Sequence, residues 1–125
     1  MSLAALKFAP STIGRIHNLG FGWLNLGGKI VEQDRILHPE GISGPWWRQR
    51  RHRFGVEDLR AVEQTYAPEL LILGCGWMGM LRIAPEIFPA AGCAVWTGRT
   101  PEAVQRYQHW SSLGIRCVAC LHMTC

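Results

Sequence analysis

Lysine is scarce in this 125-residue chain: Lys7 and Lys29 stand alone, and the other eleven of its thirteen cations are arginine. Arginine makes planar, bidentate contacts, so the formal net charge of +4 leaves an anionic partner open. A long apolar run is missing too. The longest uncharged stretch of apolar character, Leu70 to Leu81, has 12 residues, whereas a membrane-spanning helix needs about 20. No transmembrane segment and no membrane insertion are expected. The opening residues MSLAALKFAP lack a charged region ahead of an apolar core, and lack a long amphipathic stretch rich in Arg and Ser; export and organelle import are disfavoured. Cysteines do not pair off evenly. There are five, with Cys117, Cys120 and Cys125 crowded at the end, a poor match to a secreted disulfide framework. These absences predict a protein of the reducing cytoplasm. Disorder is excluded by a hydrophobic share of 48%, and the length suffices for one compact domain and not for two.

The front of the chain is rich in glycine and β-formers. Trp23 to Val31 reads as two short strands around the Gly27-Gly28 turn. Gly41 to Phe54, GISGPWWRQRRHRF, reads as a surface loop or edge strand. From Val56 the pattern becomes helical: Leu59, Val62 and Tyr66 share a face, and Glu57 and Asp58 complement the dipole in the first turn. Pro68 ends this helix. Leu70 to Gly74 is a continuous apolar run, expected to be the strand at the centre of the sheet. A segment with Pro85 and Pro89 has room for a short helix at most. Cys93 to Thr97 reads as the next strand. Thr100 is the expected N-cap of a helix with Pro101 at its first position, Ala103, Tyr107 and Trp110 on one face, a Glu102–Arg106 pair, and Gly114 at the C′ position. Ile115 to Leu121 reads as a last strand. The order is that of an α/β fold behind a β-rich front.

The helix ending at Pro68-Glu69, the LLILGCG strand and turn, Ala84-Pro85-Glu86, and the closing RTPEAVQRYQHWSSLGIRCVACLHMTC are the residues that carry a family likeness. In their order and spacing they resemble the small-domain family of the adipogenesis-associated domain protein and a mitochondrial complex I assembly factor, whose bacterial members are conserved proteins of unknown function. The resemblance covers residues 15 to 125. It implies a three-layer α/β domain with a central mixed sheet, an accessory or assembly role, and no catalytic residues to carry over. Relatives more often have Glu-Gly-Arg where this chain has Ser112-Leu113-Gly114-Ile115-Arg116.

Three motifs bear on chemistry. Gly74-Cys75-Gly76-Trp77-Met78-Gly79 spells G-x-G-x-x-G after a strand, the place where a dinucleotide pyrophosphate meets a helix N-terminus. Trp77 is bulky there, Pro85 interrupts the helix that must follow, and Arg99 stands where an acidic residue would bind ribose. A full dinucleotide site is therefore not expected; a small ligand or anion at Gly74, Gly76, Arg99 and Thr100 is the alternative retained. Cys117, Cys120, His122 and Cys125 form C-x-x-C-x-H-x-x-C, with ligand types that suit zinc. On a strand Cys117 and Cys120 point to opposite faces, so no metal or cofactor is expected and the cysteines read as small apolar side chains. Arg48, Arg50, Arg51 and Arg53 beside Trp46-Trp47 combine cations with stacking surfaces, as single-stranded nucleic-acid binding requires. An acidic protein surface meets the same needs. These four arginines equal the whole net excess of positive charge.

Conventional catalytic constellations do not emerge. No serine sits in a nucleophile elbow, and His17, His38, His52, His109 and His122 are dispersed along the chain. The expectation is one α/β domain over residues 15–125, preceded by an extension over residues 1–14, acting as a non-enzymatic binding or assembly-accessory domain toward a protein partner. The alternatives are a nucleotide- or anion-binding protein or small enzyme using the Gly74 to Gly79 turn, and nucleic-acid binding through Arg48 to Arg53. Oligomeric state is left open.

Overall fold

The computed structural model describes residues 16–125, and the extension expected over residues 1–14 lies outside them. The described chain begins with β1 (Ile16–Gly20), β2 (Trp23–Leu26) and β3 (Lys29–Glu32), a small antiparallel sheet. Gly27 and Gly28 turn it with φ of 64° and 95°, the positive values a two-residue hairpin requires. Gln33, also left-handed at φ 68°, redirects the chain into β4 (Arg35–His38) and β5 (Gly41–Ser43). The order then runs β6 (Arg53–Phe54), α1 (Val56–Tyr66), β7 (Leu70–Gly74), β8 (Arg82–Ile83), α2 (Ile87–Ala90), β9 (Ala94–Gly98), α3 (Thr100–Ser112) and β10 (Cys117–Leu121).

The main sheet has the order β5-β4-β10-β7-β9. β10, β7 and β9 run parallel, and β4 and β5 are antiparallel to the strands beside them, so the sheet is mixed as expected. The Gly41 to Phe54 stretch is part edge strand, as β5, and part loop. One placement differs from the expectation. The middle position belongs to β10, wholly buried, and not to β7, which lies one place out. Both runs are uncharged and apolar, and what decides between them is the pairing of β10 with β4, a contact between distant segments that neither run announces.

Side chains alternate across this sheet with the strand period of two. Leu71, Leu73, Val118 and Cys120 pack with Leu59 and Val62 of α1 and Ile87 of α2. Ile72, Cys117, Ala119 and Leu121 face the other way, against Ala103, Val104 and Tyr107 of α3 and Leu24 and Val31 of the small sheet. The result is a three-layer α/β arrangement with a core on each side of the sheet. Cys117 and Cys120 thus occupy opposite cores.

The helix ends follow local chemistry. Asp58 in the first turn of α1 accepts the Gly55 N–H at 2.8 Å. At the other end Arg116 donates to the carbonyls of Tyr66 and Ala67 and clasps Glu40 with its two terminal guanidinium nitrogens, at 2.7 and 2.9 Å, tying α1 to the β4–β5 turn. Gly114, at φ 86°, terminates α3; its N–H bonds Ser111 O and the Ile115 N–H bonds Trp110 O, the paired bonds of a Schellman end. Thr100 departs from the expected N-cap. Arg99 holds that position, Thr100 is the first helical residue, and its hydroxyl is spent elsewhere.

Candidate functional site

Past Leu121 the chain leaves the sheet but keeps its course. The His122 N–H bonds Gly74 O at 2.9 Å, and the N–H groups of Trp77, Met78 and Met80 bond the carbonyls of Thr124 and Cys125 at 2.7, 3.3 and 2.9 Å. Residues 122–125 therefore lie across the glycine turn. Gly76 makes this possible, being left-handed at φ 98° and so close to the segment that a Cβ would stand 2.3 Å from the Cys125 carbonyl carbon. Thr100 locks the two together. Its buried Oγ1 accepts the Gly76 N–H at 2.9 Å and donates to His122 O at 2.5 Å. Replacing Thr100 with Val strands both backbone groups, and leaving a buried group unpaired costs about 1–3 kcal/mol. A loss of about 2 kcal/mol in urea unfolding is expected for Thr100→Val, with Thr100→Ser retaining most of the stability.

Strand register brings the next residue in. Arg35 pairs with Leu121 across β4 and β10, so Asp34, one step before, stands opposite His122. Its carboxylate accepts three donors: His122 Nδ1 at 2.8 Å and Arg48 Nη1 at 2.9 Å on Oδ2, and the Met123 N–H at 2.8 Å on Oδ1. Burial alone would raise the Asp34 pKa, but the bonds from His122, Met123 and Arg48 outweigh it and hold the carboxyl below its ordinary value. An ionised carboxylate only accepts, so Nδ1 of His122 is the nitrogen that donates to Asp34, which leaves Nε2 as the atom a neutral imidazole offers to a metal. That atom lies 3.9 Å from Cys125 Sγ, and His52 Nε2 lies 3.6 Å from the same sulfur. The three donor atoms of His52, His122 and Cys125 all fall within 4.8 Å of one another. The other cysteines stand apart from this chemistry. Burial pushes the thiols of Cys75, Cys93 and Cys120 up, and that of Cys117 up to about 11.

Beside this group opens a cleft of about 590 Å³ whose walls include Asp34, Trp46, Trp47, Arg48, Arg51 and His122. Trp46 is its anchor, sunk into the core against Phe54, with the Arg48 guanidinium 4.3 Å from its ring centroid. Trp47, the next residue, is 80% exposed.

The residues singled out from the sequence are distributed unevenly around this place. Arg48 has turned inward, its side chain only 3% exposed in the pair with Asp34, while Arg50, Arg51 and Arg53 remain at the surface. Gly74, Gly76 and Thr100 do sit together, with Arg99 exposed, but the turn's N–H groups already serve Thr100, Thr124 and Cys125. An anion there has to displace those bonds. Cys117 and Cys120 do not join His122, whereas Cys125 does. Asp34 and His52 were missed by sequence reasoning: His52 lay hidden inside the arginine run, and nothing local marks Asp34. The spacing His122-x-x-Cys125 was the only available signal.

A family described as a protein of unknown function (DUF498/DUF598) matches residues 16–122. Among solved structures, a conserved hypothetical protein from Pyrococcus horikoshii OT3 is 24% identical over 89% of this chain and 99% of its own, with a TM-score of 0.73. A Bartonella henselae protein described as an outer membrane protein is 22% identical over 87% of this chain and 93% of its own, with a TM-score of 0.68. A Mth938-like domain from Bordetella pertussis is 17% identical over 90% and 87%, with a TM-score of 0.58. At these identities the likeness is one of fold. No curated protein matches the chain. Among the described residues no helix is long and apolar enough to cross a membrane.

Proposed function

The chain belongs to the DUF498/DUF598 family of proteins of unknown function, and on that premise we propose that it is a binding domain, one α/β unit over residues 15–125, that seats an acid-bearing segment of a protein partner in the Trp47–Arg51 cleft. The observation that carries this reading is Trp47. It is 80% exposed at the lip of a cleft that also presents Arg51, and Trp and Arg are the residue types that dominate protein interfaces when a partner covers them. The cleft floor is preorganised, because Trp46, Arg48 and Asp34 hold one another, so little ordering cost falls on binding. An accessory or assembly role, of the kind implied by the resemblance to a complex I assembly factor, needs such a surface and asks no covalent step of it. The cytoplasm is the proposed compartment, supported by five cysteines that are all free.

The test is a photo-crosslinking residue at position 47, followed by titration of the recovered partner with purified protein. Trp47→Ala should weaken that partner about tenfold or more, the loss of one interface hot spot, with the fold intact because the side chain is exposed. Equal binding by Trp47→Ala and Arg51→Ala would sink the reading. A second reading, single-stranded nucleic acid, is favoured by the same tryptophan beside exposed Arg50 and Arg51, since bases stack on aromatic faces while phosphates pair with arginine. A short oligonucleotide that binds with steep salt dependence, and loses binding in Trp47→Ala, selects it.

A further inference from the structure

We infer that His52, His122 and Cys125 form a binding site for a zinc-class divalent metal ion, which adjoins the cleft at His122 and does not depend on the reading given to the cleft. Two imidazole nitrogens and one thiolate are a donor set that zinc takes, and three protein ligands with a fourth position open is the pattern of reactive zinc centres.

The geometry supports this in four respects. With Zn–S near 2.3 Å and Zn–N near 2.0–2.1 Å at tetrahedral angles, sulfur and nitrogen should be about 3.6 Å apart; here they are 3.6 Å for His52 and 3.9 Å for His122. Both imidazoles present Nε2 to the same sulfur, and their rings meet nearly perpendicular, at 83°, so they converge edge on and do not stack on each other. A thiol working with one histidine as its base would need only one of them. Next, Asp34 accepts a hydrogen bond from Nδ1–H of His122, the carboxylate–histidine arrangement that fixes the tautomer and raises the basicity of a metal-bound imidazole. Finally, the backbone under each donor is held. His52 O accepts the Arg82 N–H at 2.9 Å, His122 N–H is bonded to Gly74 O, and Cys125 O receives Met78 and Met80. The donors are thus assembled before any ion arrives. His52 is exposed and Cys125 half-buried, which provides the path of entry.

The tag-free full chain, stripped with a chelator, should take up one Zn²⁺ per molecule in competition with a chromophoric chelator. Co²⁺ in its place should show the intense visible bands of four-coordination together with a thiolate-to-cobalt charge-transfer band. Zinc should also shield Cys125 from iodoacetamide. Cys125→Ser should abolish the charge-transfer band, and His52→Ala, at an exposed position that the fold tolerates, should weaken Zn²⁺ by at least about tenfold, since even outer partners of a ligand are worth 10–100-fold. Trp47→Ala should leave zinc affinity unchanged, which separates metal binding from partner binding at the cleft lip. The inference is overturned if no saturable zinc binding is found, if the cobalt complex lacks the thiolate band, or if affinity is the same in Cys125→Ser and His52→Ala as in the parent.

Discussion

Asp34→Ala is expected to lower unfolding free energy by about 3–5 kcal/mol, the cost of removing one partner from a buried ion pair. Arg48 is left with its guanidinium out of reach of water, its side chain being 3% exposed, while His122 and the Met123 N–H lose their acceptor. Urea denaturation measures the loss, and Asp34→Asn should recover only part of it, because the amide supplies shape and one acceptor without charge. The sign of the pH dependence follows from the lowered pKa. A carboxyl whose folded pKa lies below its unfolded value stabilises the fold above that unfolded value and loses the contribution as pH falls through the folded one. Asp34 titrates below its ordinary 3.8, so its share is present in full at neutral pH and disappears only in acid beneath that point. Asp34→Asn should flatten the parent's acid limb and leave the neutral region parallel to it.

Gly76→Val should be comparably severe, at about 4 kcal/mol. Two costs combine: a left-handed φ that β-branched residues resist, about 1–3 kcal/mol, and insertion into filled space, about 1–3 kcal/mol. A Cβ at this position meets the Cys125 carbonyl carbon at 2.3 Å and His122 Cδ2 at 2.9 Å. Gly79 serves as an internal comparison. It shares the positive φ, at 69°, but a Cβ there meets nothing within 4 Å, so Gly79→Ala should cost only the backbone share, about 1–2 kcal/mol. Similar losses at Gly76 and Gly79 would show that residues 122–125 do not rest on the turn as described. The glycine-rich spelling after β7 is then explained by what covers it: the chain's own last strand extension.

Much of the scaffold was legible because its signals are local. Leu59 and Val62 mark one face of α1, Gly114 ends α3, and the Gly27-Gly28 pair turns β2 into β3, each through interactions that span a few residues. Thr100 shows where locality fails. Its hydroxyl has the chemistry of a cap, yet Gly76 and His122, brought near by the parallel pairing of β7 with β10, compete for it and win. The site is more distant still. Asp34, His52, His122 and Cys125 lie outside the strands and helices, and they meet because β4 runs antiparallel beside β10 while β6 and β8 pair to carry the His52 loop. The C-x-x-C-x-H-x-x-C pattern was informative only in its second half, since the strand period sends Cys117 and Cys120 into opposite cores before the chain straightens toward His122 and Cys125. Arg48 illustrates the converse: within an arginine run it reads as surface charge, and the buried carboxylate of Asp34 turns it inward.

X-ray absorption at the zinc edge of the zinc-loaded full chain tests the metal centre most directly. The account predicts a first shell with one sulfur at about 2.3 Å and two imidazole nitrogens at about 2.0–2.1 Å, the sulfur disappearing in Cys125→Ser. A shell of light atoms alone in the parent protein, or a sulfur that persists in Cys125→Ser, would contradict it.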